Sequence, residues 1–376
     1  MPLIPRVAAA LLAVTTVVVA GVPAEAVSSR PRATTPAFNG SVYAIAHRGD
    51  VTYVGGEFTA ASSGGRTYPR LRLAAFDSRS GALLPWAPPA DATVRALAAT
   101  GDSVYAAGDF HEVGGRDRDS LVRLHPGTGA VSSFRHSLTG TAYALAVGND
   151  RLYLGGSFTD VDGHRRANLA AFSLITGALD GTWRPAADDA VHALAIRASR
   201  VFVGGGFHTV QSVSGTLRLA AVHATTGAVD QNFLPRAPAE VRAIAVDADG
   251  VSVATAGVGG RAIAYSFRGK VRWQRVFDGD AAAIATAGGI TYVGGHFDSA
   301  CLTSKNGAHG ACADGSSPRF KLAAVTSTGD LAPWAPQANG VIGVRVLAVN
   351  RVSRTLEAGG DFTVMAGQDR RRFAAF

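Results

Sequence analysis

The sequence has little cysteine and little charge, and both shortages restrict what the protein can be. Asp, Glu, Lys and Arg together make up only 17% of its 376 residues. The two cysteines, Cys301 and Cys312, give a metal at most three ligands even with His309 between them, which is a poor zinc site. The ten histidines are scattered without metal-site spacing. We therefore predict no metal centre and no cofactor.

A run of apolar residues long enough to span a membrane is also lacking after residue 26. Residues 1–26 combine Arg6, a shorter apolar run and an Ala24-Glu25-Ala26 end, which is typical of a cleaved signal peptide. A membrane anchor is the alternative, and the Ala-x-Ala end favours cleavage. Export would allow Cys301 and Cys312 to form a disulfide that closes a surface loop and contributes about 3 kcal/mol.

Acidic residues are outnumbered, 28 against 36 basic ones, so the formal net charge is +8. Cleavage after residue 26 leaves that charge unchanged, because it removes one Arg and one Glu. A basic secreted protein is attracted to anionic surfaces, and we expect its partner to be an anionic cell-wall polysaccharide or another surface protein. No nucleic-acid fold signature accompanies the charge, so we predict no specific nucleic-acid binding.

A short Gly-Gly-x-Phe motif recurs through the rest of the chain at steps near 50 residues. Six clear copies end at Phe58, Phe110, Phe158, Phe207, Phe297 and Phe362. Where a seventh is due, the sequence reads Ala256-Gly257-Val258-Gly259. A regular period of this length indicates an array of one repeated structural unit.

Each repeat is predicted to contain four short strands, shown by the third: residues 142–147, 152–158, 168–172 and a last strand reaching Trp183. This is the pattern of a propeller blade, and seven first strands predict seven blades. We therefore predict an all-β, seven-bladed propeller that occupies residues 27–376 as one domain.

The paired glycines and the later aromatics have a common explanation in how blades pack. Residues without Cβ let a neighbouring sheet approach closely and tolerate a bulge. A large aromatic near the end of each unit is expected to pack between blades rather than to stack on a cofactor. These aromatics are Trp86, Phe134, Trp183, Phe233, Trp273 and Trp334.

The two ends of the chain predict how the ring closes. Residues 372–376 match a third strand, so the last blade lacks its fourth strand, and residues 36–40 resemble residues 336–340, which follow a fourth strand. We expect the mature N-terminus to complete the last blade and so to cover an open sheet edge.

Residues 227–235 and 177–185 resemble the delta-60 repeat of bacterial secreted β-propellers, and with the Gly-Gly-x-Phe copies the likeness covers nearly the whole mature chain. The resemblance implies a secreted or surface propeller and implies no particular activity. Residues 75–86 and 264–273 are also similar to the tryptophan-docking repeats of pyrroloquinoline-quinone proteins, and the Gly-Gly motif followed by a distant Trp is kelch-like.

Those two partial likenesses leave an enzyme as an alternative, either a quinone-type oxidoreductase or a hydrolase with a ligand in the central channel. The adjacent-cysteine disulfide of many quinone dehydrogenases is missing, and both cysteines sit in one insertion rather than beside a crosslinking Tyr. We therefore favour a binding or interaction platform at the cell envelope. A structural surface protein is the other alternative.

The candidate binding residues are those that enter the first strands, where side chains would ring the mouth of the central channel. They are Tyr43, Arg95, Tyr143, His192, Arg242 and Arg345, and Ala282 leaves a gap in the sixth repeat. Guanidinium groups bind carboxylates or phosphates, and Tyr rings offer faces for sugars, so an acidic polysaccharide is the predicted ligand. A purely structural role for this ring remains open.

A second set of arginines recurs in the loop between strands two and three. It comprises Arg70, Arg118, Arg166, Arg319 and Arg370. Because this recurrence follows the repeat itself, we favour a structural role: each Arg caps its hairpin or pairs with Glu57, Asp109 or Asp361. No group of residues predicts catalysis.

Overall fold

The structure is a computed structural model that describes residues 27–257 and 259–376. The predicted signal peptide, residues 1–26, and Val258 of the divergent motif lie outside the described residues. Within them the chain is all-β, apart from one short 3-10 turn at Ala308–Gly310.

The strands of the first four repeats, in chain order, are β1 (Ala37–Phe38), β2 (Val42–Arg48), β3 (Val51–Gly56), β4 (Ala60–Ser63), β5 (Arg66–Pro69), β6 (Leu73–Asp77), β7 (Val94–Ala99), β8 (Val104–Gly108), β9 (Glu112–Val113), β10 (Arg116–Asp117), β11 (Leu121–Leu124), β12 (Leu138–Gly148), β13 (Arg151–Val161), β14 (His164–Arg165), β15 (Leu169–Ser173), β16 (Val191–Arg197), β17 (Arg200–Gly205) and β18 (Leu219–His223). The remaining strands are β19 (Val241–Val246), β20 (Val251–Thr255), β21 (Arg261–Tyr265), β22 (Val271–Val276), β23 (Ala281–Ala287), β24 (Ile290–Gly295), β25 (Ser299–Cys301), β26 (Ser316–Pro318), β27 (Leu322–Val325), β28 (Val344–Asn350), β29 (Thr355–Gly360), β30 (Val364–Met365), β31 (Gln368–Asp369) and β32 (Phe373–Ala375).

In the described part of the chain these strands form seven larger sheets, one for each repeat, in which neighbouring strands are antiparallel. The sheets are β2-β3-β6, β7-β8-β11, β12-β13-β15, β16-β17-β18, β19-β20-β21-β22, β23-β24-β27 and β28-β29-β32. Each first strand contacts the first strand of the next sheet, and β28 also contacts β2. Small two- or three-stranded ribbons, such as β9-β10 and β30-β31, form the loops between second and third strands.

The prediction of four strands in every repeat is wrong, because a full fourth strand, β22, pairs only in the fifth sheet of the described residues. In five other sheets a single bridge, such as Phe172 to Leu179, takes its place. In the third repeat the cause is local turn chemistry. The Asp180 carboxylate accepts the backbone N–H groups of Thr182 (2.8 Å) and Trp183 (3.1 Å) and bends the chain away from the sheet.

Large aromatic residues fill the space between consecutive sheets. Trp86 is buried against Tyr53, with ring centroids 4.9 Å apart, and both contact apolar residues of β8 and β11 in the next sheet. The Trp86 Nε1–H group donates to the His125 carbonyl at 3.0 Å. Trp183 repeats the arrangement with His223, at 3.1 Å. The aromatics therefore join neighbouring sheets through both packing and a hydrogen bond.

The two glycines of the motif have different neighbours. A Cβ on Gly55, the first glycine of its copy, would meet the Val94 side chain of the next sheet at 2.5 Å. A Cβ on Gly56, the second, would collide with the Ser41 carbonyl oxygen of its own sheet. The first glycine therefore permits close packing between sheets, and the second permits close approach of the backbone that leads into the first strand.

The N-terminal segment lies along the last sheet. The Arg32 N–H donates to the Ala375 carbonyl at 2.7 Å, and the Phe38 N–H donates to the Arg371 carbonyl at 3.1 Å. Strand β1 itself pairs with β4, in the loop ribbon of the first repeat.

Cys301 and Cys312 are joined by a disulfide, as predicted. The loop they close is tied to the fifth repeat, because Arg261 donates to the Asn306 side-chain oxygen at 3.2 Å. The disulfide therefore closes a surface loop that contacts the preceding repeat.

The loop arginines have a structural role, but their partners are carbonyls rather than carboxylates. Arg70 donates to the Pro69 carbonyl at 2.7 Å and to the Leu84 carbonyl at 2.9 Å, so it connects the loop to the segment after the third strand. Arg118, Arg166 and Arg319 repeat this double contact, and Arg370 donates to the Asp369 carbonyl and to the Gln368 side chain. Pairing with Glu57, Asp109 or Asp361 was therefore the wrong alternative.

Candidate functional site at the channel mouth

A β-bulge near the start of each first strand presents the candidate residues. Tyr43 is the extra residue between Val42, which pairs with Gly56, and Ala44, which pairs with Gly55. The same register shift occurs in the other six sheets, and the extra residues are Arg95, Tyr143, His192, Arg242, Ala282 and Arg345. Bulges redirect side chains, and here they direct the same position of every repeat to one place.

All six candidate residues and Ala282 line one cavity of about 220 Å³, which we call the channel mouth. Its wall also includes one Ile or Leu from every sheet, two positions after each bulge residue. These are Ile45, Leu97, Leu145, Leu194, Ile244, Ile284 and Leu347. The channel mouth is thus a polar rim above an apolar ring. That ring was not among the predicted site residues, although its period is visible in the first strands.

Carboxylates outside the rim neutralise much of its positive charge. Arg95 makes two contacts of 2.7 Å with Asp109, one from Nε and one from an Nη atom. Glu240 lies 2.6 Å from His192 Nε2 and 3.2 Å from an Nη atom of Arg242. Arg95 and Arg242 are therefore paired with carboxylates, and the rim is less basic than the list of residue types suggested.

Glu57 completes this arrangement on the Tyr43 side, where the tyrosine hydroxyl donates to its carboxylate at 3.1 Å. The sequence suggested Glu57 and Asp109 only as partners of the loop arginines, and Glu240 was not among the predicted site residues. The position of Glu240, one residue before the first strand of its repeat, was the available signal.

Aromatic rings hold several rim residues in place. The Tyr143 and His192 rings stack with centroids 5.3 Å apart and planes 22° apart. The Arg345 guanidinium lies over the Tyr43 ring, 5.0 Å from its centroid. Such contacts between rings and planar cations orient side chains at little conformational cost.

The titration of the rim follows from burial and from these partners. Burial, and then the charge of Arg242, lower the pKa of His192, although Glu240 acts in the opposite direction. The 2.6 Å contact alone would favour an ion pair, but burial and a neighbouring cation outweigh it, so His192 is neutral at pH 7 and donates to Glu240. Burial acts to raise the pKa of Glu57, but hydrogen bonds from Ser41 and Tyr43 prevail and lower it.

Arg345 differs from the other rim cations. Among the described residues its guanidinium has neither a carboxylate within 4.0 Å nor a hydrogen-bond acceptor, and its Nε is buried without a partner. The loop arginines also have an unpaired Nε, but their Nη atoms are bound to carbonyls. Arg345 is thus the one rim cation whose guanidinium makes no ion pair or hydrogen bond among the described residues.

A larger cavity, of about 960 Å³, lies at the other ends of the first strands. It is lined mainly by hairpin turns of four sheets, together with Val27 and Tyr292, and it contains none of the six candidate residues. Its size favours this larger cavity as a ligand site. The channel mouth differs from it in that side chains of all seven sheets converge there.

The described residues contain no group of three or more His, Cys, Asp or Glu side chains that could hold a metal ion. In the same residues, no helix is long and apolar enough to cross a membrane.

No family model matches the chain, and no curated protein sequence matches it. Solved structures do. The WD40 β-propeller domain of Doa1 aligns with a TM-score of 0.58 at 8% identity, covering 92% of this chain and 95% of that one. BamB from Moraxella catarrhalis aligns with a TM-score of 0.50 at 16% identity (89% and 84% covered), and the computationally designed Ika8 protein with 0.51 at 11% (91% and 98%). The fold is a β-propeller.

Proposed function

We propose that the seven sheets are the blades of one closed ring, of the secreted delta-60 type, formed by a mature chain that begins at Val27. Contact between β28 and β2 supports closure. The motif glycine Gly359 also supports it, since a Cβ there would meet Val42 of the first sheet, as Gly55 meets Val94.

The N-terminal segment also supports closure, because its hydrogen bonds to the last sheet match those that a later segment makes to the first sheet. In the first sheet, Leu84 and Ala90 donate to the carbonyls of Ala75 and Leu71. Arg32 and Phe38 donate to Ala375 and Arg371 with the same spacing, at the corresponding positions of the last sheet. The segment therefore occupies the place of the missing fourth strand and covers the edge of β32.

Deleting residues 27–38 tests closure. The variant is expected to self-associate or to unfold at a lower temperature, because the edge of β32 loses its cover. Sedimentation velocity and a thermal melt measure the two effects. A monomer with wild-type stability would contradict closure by this segment.

The protein's proposed role is a binding platform at the cell envelope, with the channel mouth as its site and an anionic wall polysaccharide as the ligand. One observation carries this proposal: a bulge repeated in seven sheets brings Arg, Tyr and His side chains to one cavity. A merely structural bulge does not require polar residues at that position, as Ala282 shows.

Sedimentation of the mature protein with isolated cell-wall fractions across a salt series tests the platform. The Arg242→Ala, Arg345→Ala double variant is compared with Arg116→Ala, Arg165→Ala, which removes the same charge from exposed loop ribbons. Arg95 is left in place because its removal would leave Asp109 unpaired.

Saturable binding that weakens with salt is expected for the wild type and the loop variant, since salt screens exposed charges. The mouth variant is expected to lose it. Equal binding by all three proteins would place the site elsewhere, and no binding at low salt would refute the platform.

A further inference from the structure

We infer that the channel mouth binds one carboxylate of a uronic acid residue between Arg345 and Arg242, over Ala282. This inference rests on the proposed function and narrows its ligand from any acidic polymer to a singly charged sugar. It follows from the charge pairing, shape and order of the rim.

The charge pairing decides where an anion is stabilised. The Arg95 guanidinium already makes two contacts with Asp109, so it has no free pair of N–H groups for a bidentate contact with a ligand. Arg242 has one contact to Glu240, at 3.2 Å, and Arg345 has none among the described residues. Among the rim arginines, guanidinium donors without a partner therefore remain only on Arg242 in the fifth repeat and Arg345 in the seventh.

The order of the repeats puts Ala282 between the repeats that carry those donors. Strand β23, which carries Ala282, contacts both β19 and β28, which carry Arg242 and Arg345. Ala282 is the only one of the seven bulge residues in the described chain with a methyl side chain, so no long side chain fills that position of the rim. It lies in the repeat between those that carry Arg242 and Arg345.

The cavity volume limits the ligand to about one sugar ring. About 220 Å³ is below the usual range of about 300–1,000 Å³ for small-molecule sites. A polymer therefore presents a terminal or protruding residue to the mouth, and does not lie across it. The Ile and Leu residues of the wall, from Ile45 to Leu347, offer no cation to a second anion.

Nearby carboxylates favour a single negative charge over a phosphate. Glu240 and Glu57 remain beside Arg242 and Tyr43, and they repel a dianion more strongly than a monoanion. The Tyr43 ring holds the Arg345 guanidinium in position, so little ordering accompanies bidentate capture of a carboxylate.

Calorimetric titration of the mature protein with D-glucuronate, D-glucose and inorganic phosphate tests the inference. Four variants accompany the wild type: Arg345→Ala removes the free donors, Arg345→Lys keeps the charge without the planar fork, Ala282→Leu fills the gap, and Arg116→Ala is the control. Thermal melts establish that each variant is folded.

Glucuronate is expected to bind the wild type and Arg116→Ala equally. Arg345→Ala is expected to weaken it at least tenfold, which is the usual size of a lost charge-assisted hydrogen bond. Arg345→Lys is expected to be intermediate and Ala282→Leu to weaken binding as well. Affinity unchanged in Arg345→Ala, glucose binding as tightly as glucuronate, or phosphate binding more tightly would each overturn the inference.

Wall sedimentation separates this failure from failure of the proposed function. If the wild type does not bind glucuronate but still requires Arg242 and Arg345 to bind cell walls, the uronate assignment is wrong and the proposed binding platform is supported. If wall binding is absent as well, both are wrong.

Discussion

A buried polar network at the junction of the first and last sheets offers a sharp test of how the fold is held together. Glu357, on β29, is 1% exposed, and its carboxylate lies 2.9 Å from His47 Nε2 and 3.0 Å from the Thr52 hydroxyl. Thr52 also contacts the Ser78 hydroxyl at 2.7 Å, and Ser78 accepts from Asn350 at 3.1 Å. The network therefore crosses from one end of the chain to the other.

The Glu357→Ala variant is expected to lower the free energy of unfolding by about 3 kcal/mol. Removing one member of a buried charged network costs about 3–5 kcal/mol. The lower value applies because Thr52 keeps Ser78 as a partner and the His47 side chain, 17% exposed, can reach water. With about 2.1 cal/mol/K of unfolding entropy per residue over the described chain, this corresponds to a Tm about 4 °C lower.

Thermal unfolding followed by circular dichroism measures the shift. Glu357→Gln, which keeps the volume and can still accept from Thr52, is expected to lose less than the Ala variant. Glu112→Ala, at an exposed strand position, is the control and should stay within about 0.5 kcal/mol of the wild type. A Glu357→Ala protein that melts within about 1 °C of the wild type would refute the argument.

Three further predictions concern the rim, the glycines and the aromatics. The pKa of His192 is lowered in the fold, so its neutral form contributes stability above the unfolded pKa of about 6.5, and that stability is lost as pH falls. The Tm of His192→Gln should therefore drop less than the Tm of the wild type between pH 7.5 and 5.5. An equal drop would contradict the lowered pKa of His192. Gly359→Ala places a Cβ 2.6 Å from the Val42 side chain and should lower the free energy of unfolding in urea by about 1–3 kcal/mol, whereas Gly101→Ala, with open space around it, should lower it little. Equal losses of stability would argue against tight packing between the last and first sheets. Trp183→Phe removes the donor to the partly buried His223 carbonyl and should cost about 1 kcal/mol by the same assay, and a neutral result would show that water replaces the bond.

The propeller fold was predictable because it depends on a short-range pattern repeated many times. The Gly-Gly-x-Phe copies mark each second strand, and the structure gives a reason for each glycine in the nearby Val94 side chain and Ser41 carbonyl. The sequence also indicated a bulge, although the structure places the extra residue on the first strand, opposite the glycines. Local rules of strand and turn account for both features.

What could not be predicted depends on partners distant in the chain or on competing local bonds. Glu240 and His192 are 48 residues apart in sequence, yet they meet at 2.6 Å, and no periodic pattern links them. In the third and fourth repeats the missing fourth strand follows from Asp180 and Asp230, whose carboxylates bond to the backbone ahead of them. Residue types at the mouth were therefore predictable, whereas their charge balance required the three-dimensional structure.

A crystal structure of the mature protein soaked with acidic cell-wall oligosaccharide fragments tests the central claim most directly. The account predicts a sugar carboxylate within hydrogen-bond distance of the Arg345 guanidinium, with the ring of that sugar beside Ala282. A fragment bound in the larger cavity at the other ends of the first strands, or on the outer loops, would contradict the claim that the channel mouth is the binding site.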